Sequence, residues 1–353
     1  MGIPTTYYKV PGERTLISVI MPVRNEAIII KDALSSVLAQ NTPQFDIEIL
    51  AIDAMSTDGS MEIITELAKE DSRLKLFTNE KVLTPYAFNI GLKEAKGDYI
   101  CTMGAHTIYD DNYISRCFEE LRTYEVVGCG GRLLTRPAND TLQARLTAWT
   151  YGHPFGSSPR SVRTHSEGFV DSPVYPVMHK QAMIDVGGYD ESLTRNQDND
   201  MSQRLRAAGH KMYCTWKTNA YIYSIPSISA LLRYGFRGGM WNVRSLRANF
   251  ASMGLRHFTP ALFLISLIVS VLMGTIGVFY SHPFNVLAGM PLLLILGSYF
   301  ALSTISAVHV ALRERCYGAL WLILVFFLFH MAYGAGTLWG FIDGIRNWRG
   351  IKA

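Results

Sequence analysis

ISVIMPV (Ile17–Val23) and IEILAID (Ile47–Asp53) decide how this chain is read. Each is an apolar run of strand length that ends in polar residues. Between them, Glu26–Ala39 places Ile29, Ile30, Ala33, Leu34, Val37 and Leu38 at helical spacing. The unit is therefore strand, helix, strand. Strands joined by a crossover helix run parallel, and parallel sheets take ligands beyond the carboxyl ends of their strands. Here those ends are Arg24-Asn25-Glu26 and Asp53-Ala54-Met55-Ser56-Thr57-Asp58-Gly59. Their amides, hydroxyls and carboxylates suit the base and ribose of a nucleoside. The same residue types also make turns and caps. Two such ends in register favour a site over a pair of turns.

Outward from this unit the alternation continues. Leu74–Thr78 precedes Asn79, and Asp98–Met103 precedes Gly104-Ala105-His106. Helical stretches fit Ser60–Ala68, Pro85–Ala95, Asp111–Leu121 and Gln143–Trp149. The pattern predicts an α/β fold with a mostly parallel sheet and helices on both faces. VVGCGGRLL (Val126–Leu134) is a further strand, in which Gly128, Gly130 and Gly131 mark a bulge or a close backbone approach. No GxGxxG follows a strand and no GxxxxGK[ST] occurs, which argues against a dinucleotide-dependent dehydrogenase and a P-loop ATPase.

Composition breaks near residue 258. From Phe258 to Leu312, and again from Cys316 to Ile342, there is no Asp, Glu, Lys or Arg. A membrane span needs about 20 apolar residues. Three spans are expected, at Pro260–Tyr280, Asn285–Ala307 and Ala319–Phe341. Arg313 and Arg315 put the second link, and with it the large N-terminal part, on the cytosolic side. The expected location is the inner (plasma) membrane, with several spans and a cytoplasmic catalytic domain. The C-terminal tail carries Arg346, Arg349 and Lys352, so either it sits against the positive-inside tendency or the last segment re-enters. Gly334, Gly336 and Gly340 would permit a broken helix there. Before the spans, Thr218–His257 holds Arg233, Arg237, Arg244, Arg247 and Arg256, no acid, and interleaved aromatic and aliphatic residues. Such a stretch suits the headgroup layer, where arginines meet lipid phosphates. The expected organisation is 1–225, a catalytic domain; 226–257, a basic interfacial segment; and 258–353, a membrane domain.

The net charge of +4 does not imply nucleic acid as a partner. Five scattered cysteines without a CxxC pair argue against zinc and a disulfide framework. The N-terminus shows no apolar signal-peptide core before Leu16.

A second polar cluster is VGGYDESLTRNQDNDMSQRLRAAG (Val186–Gly209). Gln197-Asp198-Asn199-Asp200 opens a helix. Acids there complement the helix dipole, and Asn196 or Asp198 could cap it. The other reading is a general base on the first turn, facing a crevice. The residues alone leave both open.

MPVRNEAIIIKDALSSVLAQ, AIDAMSTDGS, NIGLKEAKGDYI and GGYDESLTRNQDNDMSQRLRAAG together resemble glycosyltransferase family 2, of GT-A fold. With AHTIY, VDSPVY and YGFRGG they are similar to the membrane-anchored exopolysaccharide glucosyltransferases of succinoglycan type. The resemblance spans about residues 15–255. It implies inverting transfer of one sugar from a nucleotide-sugar donor to an acceptor hydroxyl. Pro22, Asn25, Glu26, Asp53 and Asn89 would bind the nucleotide sugar. Asp198 would be the base, with Gln197 where many members have Glu. Asp200, Arg237 and Trp241 would serve the acceptor or diphosphate. The acceptor would be a lipid-linked saccharide, most simply on polyprenyl diphosphate, in contact with membrane lipids. Two departures stand out. Ala54 replaces the second acid of the early loop, and Gly104-Ala105-His106 stands where the family has Asp-x-Asp or Asp-x-His. His106 remains as a ligand for Mg or Mn, Asp110 or Asp111 could supply the lost acid, or Arg132, Arg204 or Arg237 could neutralise the diphosphate without a cation. The alternatives are a polyprenyl-phosphate sugar synthase and a catalytically silent nucleotide-sugar-binding scaffold.

Overall fold

The computed structural model describes residues 14–40, 44–159, 161–193, 195–248 and 254–346. In chain order the elements are β1 (Thr15–Val23), α1 (Ile30–Leu38), β2 (Phe45–Asp53), α2 (Ser60–Glu70), β3 (Leu74–Thr78), α3 (Thr84–Glu94), β4 (Tyr99–Thr102) and β5 (Thr107–Tyr109). Then come α4 (Tyr113–Thr123), β6 (Gly128–Arg136), α5 (Leu142–Gly152), α6 (Pro154–Ser157), β7 (Gly168–Phe169), β8 (Val177–His179), α7 (Lys180–Asp185), α8 (Gln197–Ala207) and β9 (Met212–Tyr223). The last are α9 (Ile228–Ala248), α10 (Thr259–Gly277), α11 (Phe284–Arg313) and α12 (Leu322–Arg346). They divide into two compact units, Met1–Leu134 with His165–Tyr223, and Thr135–Thr164 with Ser224–Ala353. Residues 135–164 thus fall in the second unit, although a boundary drawn at 225 puts them in the first.

The first unit is built on one sheet, nine-stranded among the described residues, in the order β3-β2-β1-β4-β8-β6-β9-β5, with β7 on β9. The strands β3, β2, β1 and β4 are mutually parallel. The pairings of β8 with β4 and with β6 are antiparallel, as are those of β5 and β7 with β9. The sheet is mixed, where the sequence led us to expect it mostly parallel. The reason is physical: the alternation of strand and helix that marks parallel pairing stops near residue 110. Buried residues on both faces explain the continuous apolar runs of β1 and β2. Helix α1 covers the sheet through Ile30, Ala33, Leu34 and Val37. Another core joins Ile20, Leu50 and Ile52 of the sheet to Ala87, Phe88 and Leu92 of α3 and to Met201 and Leu205 of α8. The three glycines of β6 are close approaches: a Cβ on Gly130 would strike the Val174 carbonyl, and one on Gly131 would strike Tyr113.

The second unit holds three helical segments long and apolar enough to cross a membrane, Thr259–Gly277, Phe284–Arg313 and Tyr317–Asp343. These overlap the three expected spans. α12 runs unbroken, so its glycines do not interrupt it. They are contact points instead, because a Cβ on Gly336 would meet the Phe236 backbone and one on Gly340 the Met240 backbone. Gly239 approaches the Tyr333 carbonyl in the same way. Small residues on both helices let α9 and α12 pack backbone to backbone. α9 therefore has one face on α12, with Leu231, Asn242 and Val243 buried, while Arg233, Arg237 and Arg247 are exposed. The tail beyond 346, with Arg349 and Lys352, lies outside the described residues.

Candidate active site

Parallel register puts the carboxyl ends of four strands on one edge. Val23 pairs with Asp53, Asp53 with Thr78, and Ile20 with Thr102. The loops leaving β1 and β2 are laced together. The Asn25 N–H donates to Ser56 Oγ at 2.9 Å, and Asn25 Oδ1 accepts from the Thr57 N–H at 2.9 Å. The Glu26 N–H donates to Ser60 Oγ at 2.8 Å, and the Ala27 N–H to Asp58 Oδ2 at 3.0 Å. The bonds from the Ser60 hydroxyl and the Ala27 N–H hold the Asp58 carboxyl below the usual carboxylate range. Asn25 and Met55 each adopt a left-handed backbone, with φ of 55° and 56°. Non-glycine residues persist there only when their surroundings fix them.

Asp53 ends β2 and is 1% exposed. Its Oδ2 accepts from the Ser56 N–H at 3.0 Å. Its Oδ1 is buried without a partner among the described residues, as is Gln197 Oε1 at the start of α8. Native structures seldom leave buried acceptors unmatched. Of these two residues, Asp53 is the one that the sequence marks as a nucleotide-sugar contact. Pro22 is half-buried in β1, in register with Ile52 one residue before Asp53.

His106 follows β4 on the same edge. Its Nδ1 lies 3.1 Å from Glu26 Oε1, so the structure brings these two predicted residues together. Among the described residues, no three His, Cys, Asp or Glu side chains converge as a cation site. Asp110 is committed elsewhere, its Oδ2 accepting from the Asn219 N–H and Nδ2, both at 2.8 Å. One imidazole and one carboxylate fall short of the oxygen-rich shell that Mg or Mn takes. The protein groups do not by themselves fit a divalent cation.

The other cluster surrounds α8. Asn89 of α3 grips the preceding loop, its Nδ2 donating to the Tyr189 carbonyl and to Glu191 Oε1, both at 2.9 Å, and its Oδ1 accepting from the Tyr189 N–H at 2.8 Å. Asn89 is thereby engaged in holding the loop that leads to Asp198. Asp198 and Asp200 differ sharply. Asp200 is buried and bonded to Arg204 Nε at 2.9 Å and Nη2 at 2.7 Å, so it braces the helix and does not face a ligand. Asp198 is exposed and has no hydrogen bond among the described residues. Yet the surrounding protein desolvates its carboxyl and pushes the pKa up to about 6. The aromatic pair Phe88–Tyr189, stacked at 4.6 Å, lies under this loop. Met201 belongs to the same core as Ile52, so α8 and the end of β2 are carried on one foundation.

Of the remaining expected residues, Arg237 and Trp241 belong to α9 in the second unit. Arg237 is exposed, whereas Trp241 is covered by Arg244 at 4.8 Å, which also pairs with Asp343 at 3.0 Å. Arg204 is held by Asp200, and Arg132 lies over the Trp216 ring at 4.2 Å. Sequence reasoning missed Tyr189 and Glu191 as partners of Asn89, and Tyr175, whose hydroxyl reaches the Gly104 position. The aromatic in VDSPVY was visible, but nothing in the sequence paired it with residue 104.

Residues 18–187 match the family model described as glycosyl transferase family 2. The match takes in a little under half of the chain and likens it to the family 2 glycosyltransferases. It is 29% identical over 245 residues to the succinoglycan biosynthesis protein ExoA of Rhizobium meliloti, covering 69% of this chain and 73% of that one. It is 27% identical over 300 residues to a dolichyl N-acetyl-alpha-D-glucosaminyl phosphate 3-beta-D-2,3-diacetamido-2,3-dideoxy-beta-D-glucuronosyltransferase of Methanococcus voltae, covering 79% of this chain and 92% of that one. Among solved structures it is similar to the mannosyltransferase PcManGT from Pyrobaculum calidifontis, in complex with GDP-Man and Mn2+. The TM-score is 0.54 at 16% identity, covering 95% of this chain and 88% of that one. At that identity the likeness is one of fold, and the fold is GT-A.

Proposed function

We propose that the protein transfers one sugar, with inversion, from a nucleotide-sugar donor to a hydroxyl of a lipid-linked saccharide in the synthesis of a cell-surface polysaccharide. The single observation that carries the reading is Asp198. It is an exposed carboxylate at the first turn of α8, free of hydrogen bonds among the described residues, and its pKa is raised by desolvation to about 6. A base whose pKa lies near the working pH combines the right protonation state with driving force for proton transfer. Asp198 accepts the proton of the acceptor hydroxyl as its oxygen attacks the anomeric carbon. The nucleoside diphosphate leaves from the opposite face. Asp53 Oδ1 receives a base or ribose hydrogen, and the laced loops of β1 and β2 hold that nucleoside still. Positioning accounts for most of the effect. No step is routed through a cation. His106 and Glu26 are the side chains that a cation brought by the donor would meet.

The acceptor assignment is supported by three helices able to cross a membrane and by the name of the Methanococcus relative, which carries a dolichyl-linked sugar phosphate. Polysaccharide synthesis is supported by the Rhizobium relative's name. Arg313 and Arg315 favour a multi-pass inner-membrane protein with its catalytic unit in the cytosol.

The deciding experiment substitutes Asp198→Asn in the full chain. Transfer to a saccharide hydroxyl should fall by about a hundredfold or more while nucleoside diphosphate affinity holds. Unchanged transfer to a bare polyprenyl phosphate would favour the lipid-phosphate synthase, whose acceptor needs no hydroxyl deprotonation. No donor turnover by the unsubstituted chain would leave the scaffold reading.

A further inference from the structure

We propose that Tyr175 occupies the place of the carboxylate missing at Gly104, so that the donor's diphosphate is met there by a neutral hydroxyl in place of an acid-bound cation. The inference rests on the nucleotide-sugar reading and deepens it. A Cβ built on Gly104 would stand 3.0 Å from Thr107 Oγ1, 3.0 Å from Tyr175 Oη and 3.2 Å from Tyr175 Cε1. Even the first carbon of a side chain is crowded, and a carboxylate needs more room beyond it. An acid at 104 and the phenol at 175 therefore exclude each other unless one of them moves.

The phenol is built in. Its hydroxyl is 2.9 Å from Thr107 Oγ1. Its ring meets Tyr109 edge-on at 5.5 Å. The Tyr175 carbonyl accepts from Tyr113 Oη at 3.3 Å. Its backbone is left-handed, with φ 45°, a conformation that a bulky residue keeps only under constraint. Gly104 is fixed in turn, its N–H donating to Tyr109 Oη at 2.7 Å. Thr107 is fully buried and Tyr175 half-buried, so the phenol is the outward member of the hydroxyl pair. It stands at the Gly104 position, just past the carboxyl end of β4 and two residues ahead of His106, which pairs with Glu26.

The two chemistries differ in what they ask of the ligand. A carboxylate repels a diphosphate unless a cation stands between them. A hydroxyl donates to a phosphate oxygen directly. A site that replaces the first by the second loses a cation ligand and gains a hydrogen bond. Diphosphate binding in this chain should therefore survive a chelator.

The test uses the full chain in detergent, with UDP and GDP as probes and uridine and guanosine as phosphate-free controls. Affinities are taken by calorimetry and ligand-observed NMR, in EDTA and in Mn2+. The unsubstituted chain should bind one of the diphosphates in EDTA. Y175F should weaken that binding by about tenfold and leave the matching nucleoside unchanged. G104A, which presses a methyl group on the phenol, should weaken it in the same direction by less, and it decides the matter if Y175F does not fold. Equal diphosphate affinity in Y175F, or equal losses for nucleoside and diphosphate, would overturn the inference. So would binding by the unsubstituted chain in Mn2+ only, which would leave the proposed function standing. Binding of neither diphosphate under any condition would sink the proposed function and this inference together.

Discussion

The loops leaving β1 and β2 and the first turn of α8 handle their polar groups in opposite ways. In the loops, Asn25, Glu26, Ala27, Ser56, Thr57, Asp58 and Ser60 answer one another's hydrogen bonds across the two strand ends. The surface there is closed by its own bonds, with one buried oxygen of Asp53 left over among the described residues. On α8, two acids only two residues apart have different fates. A step of two residues turns a helix by roughly 200°. Asp200 therefore turns inward onto Arg204 while Asp198 turns outward with no hydrogen bond among the described residues. On the proposed function, the difference divides binding from reactivity. Satisfied groups hold a shape, and an unsatisfied, desolvated carboxylate holds a proton affinity.

That division can be broken in order of expected effect. The largest is the collapse of transfer in Asp198→Asn without loss of nucleotide binding. Retention of activity would place the base elsewhere. Next, Asp53→Ala should weaken nucleoside diphosphate binding by about tenfold or more, since it removes both the ligand's acceptor and the bond to the Ser56 N–H. Displacement titration reads this, and an unchanged affinity would move the nucleoside to another edge. Third, Asp200→Asn should lower stability by about 2–4 kcal/mol, because it leaves the Arg204 guanidinium without its anionic partner. Denaturant unfolding measures it, and an undiminished midpoint would show that the pair does not brace α8. The smallest effect is on pH. The folded-state pKa of Asp198 is raised above the ordinary 3.8 to about 6, so its charge opposes folding at neutral pH and the opposition fades as pH falls through 6. Asp198→Asn should accordingly raise the melting temperature at pH 7 and lose that advantage as pH falls towards 4. In the unsubstituted protein, kcat/KM should fall as pH drops below about 6. A flat profile would remove Asp198 from proton transfer.

Much of this was legible in the chain. The β1-α1-β2 unit announced itself because apolar period and strand-end chemistry coincide within forty or so residues, and local patterns need no tertiary knowledge. The three apolar helices were equally plain. The antiparallel half was not. β8 has only three residues, and its partners β4 and β6 come from distant parts of the chain. β9, MYCTWKTNAYIY, did carry a signal in its aromatic and β-branched content, which sequence reading passed over. At the site, sequence pointed to Asp198 and Asp200 alike, and only helix phase separates them. Asn89 was read as a ligand contact. Its three bonds to Tyr189 and Glu191 depend on a fold that brings together residues about a hundred apart.

That clamp bears on any attempt to retune the enzyme. The loop carrying Tyr189 and Glu191 looks exchangeable, since it is short and lies just ahead of α8. It is keyed to an amide on a helix from another part of the sequence. A graft from a relative would need the matching residue at 89 to arrive with it. Otherwise the transplanted segment would lose its latch, and Asp198 would be aimed by chance. Whoever builds chimaeras of this chain with its relatives should treat 89 and 189–191 as one cassette.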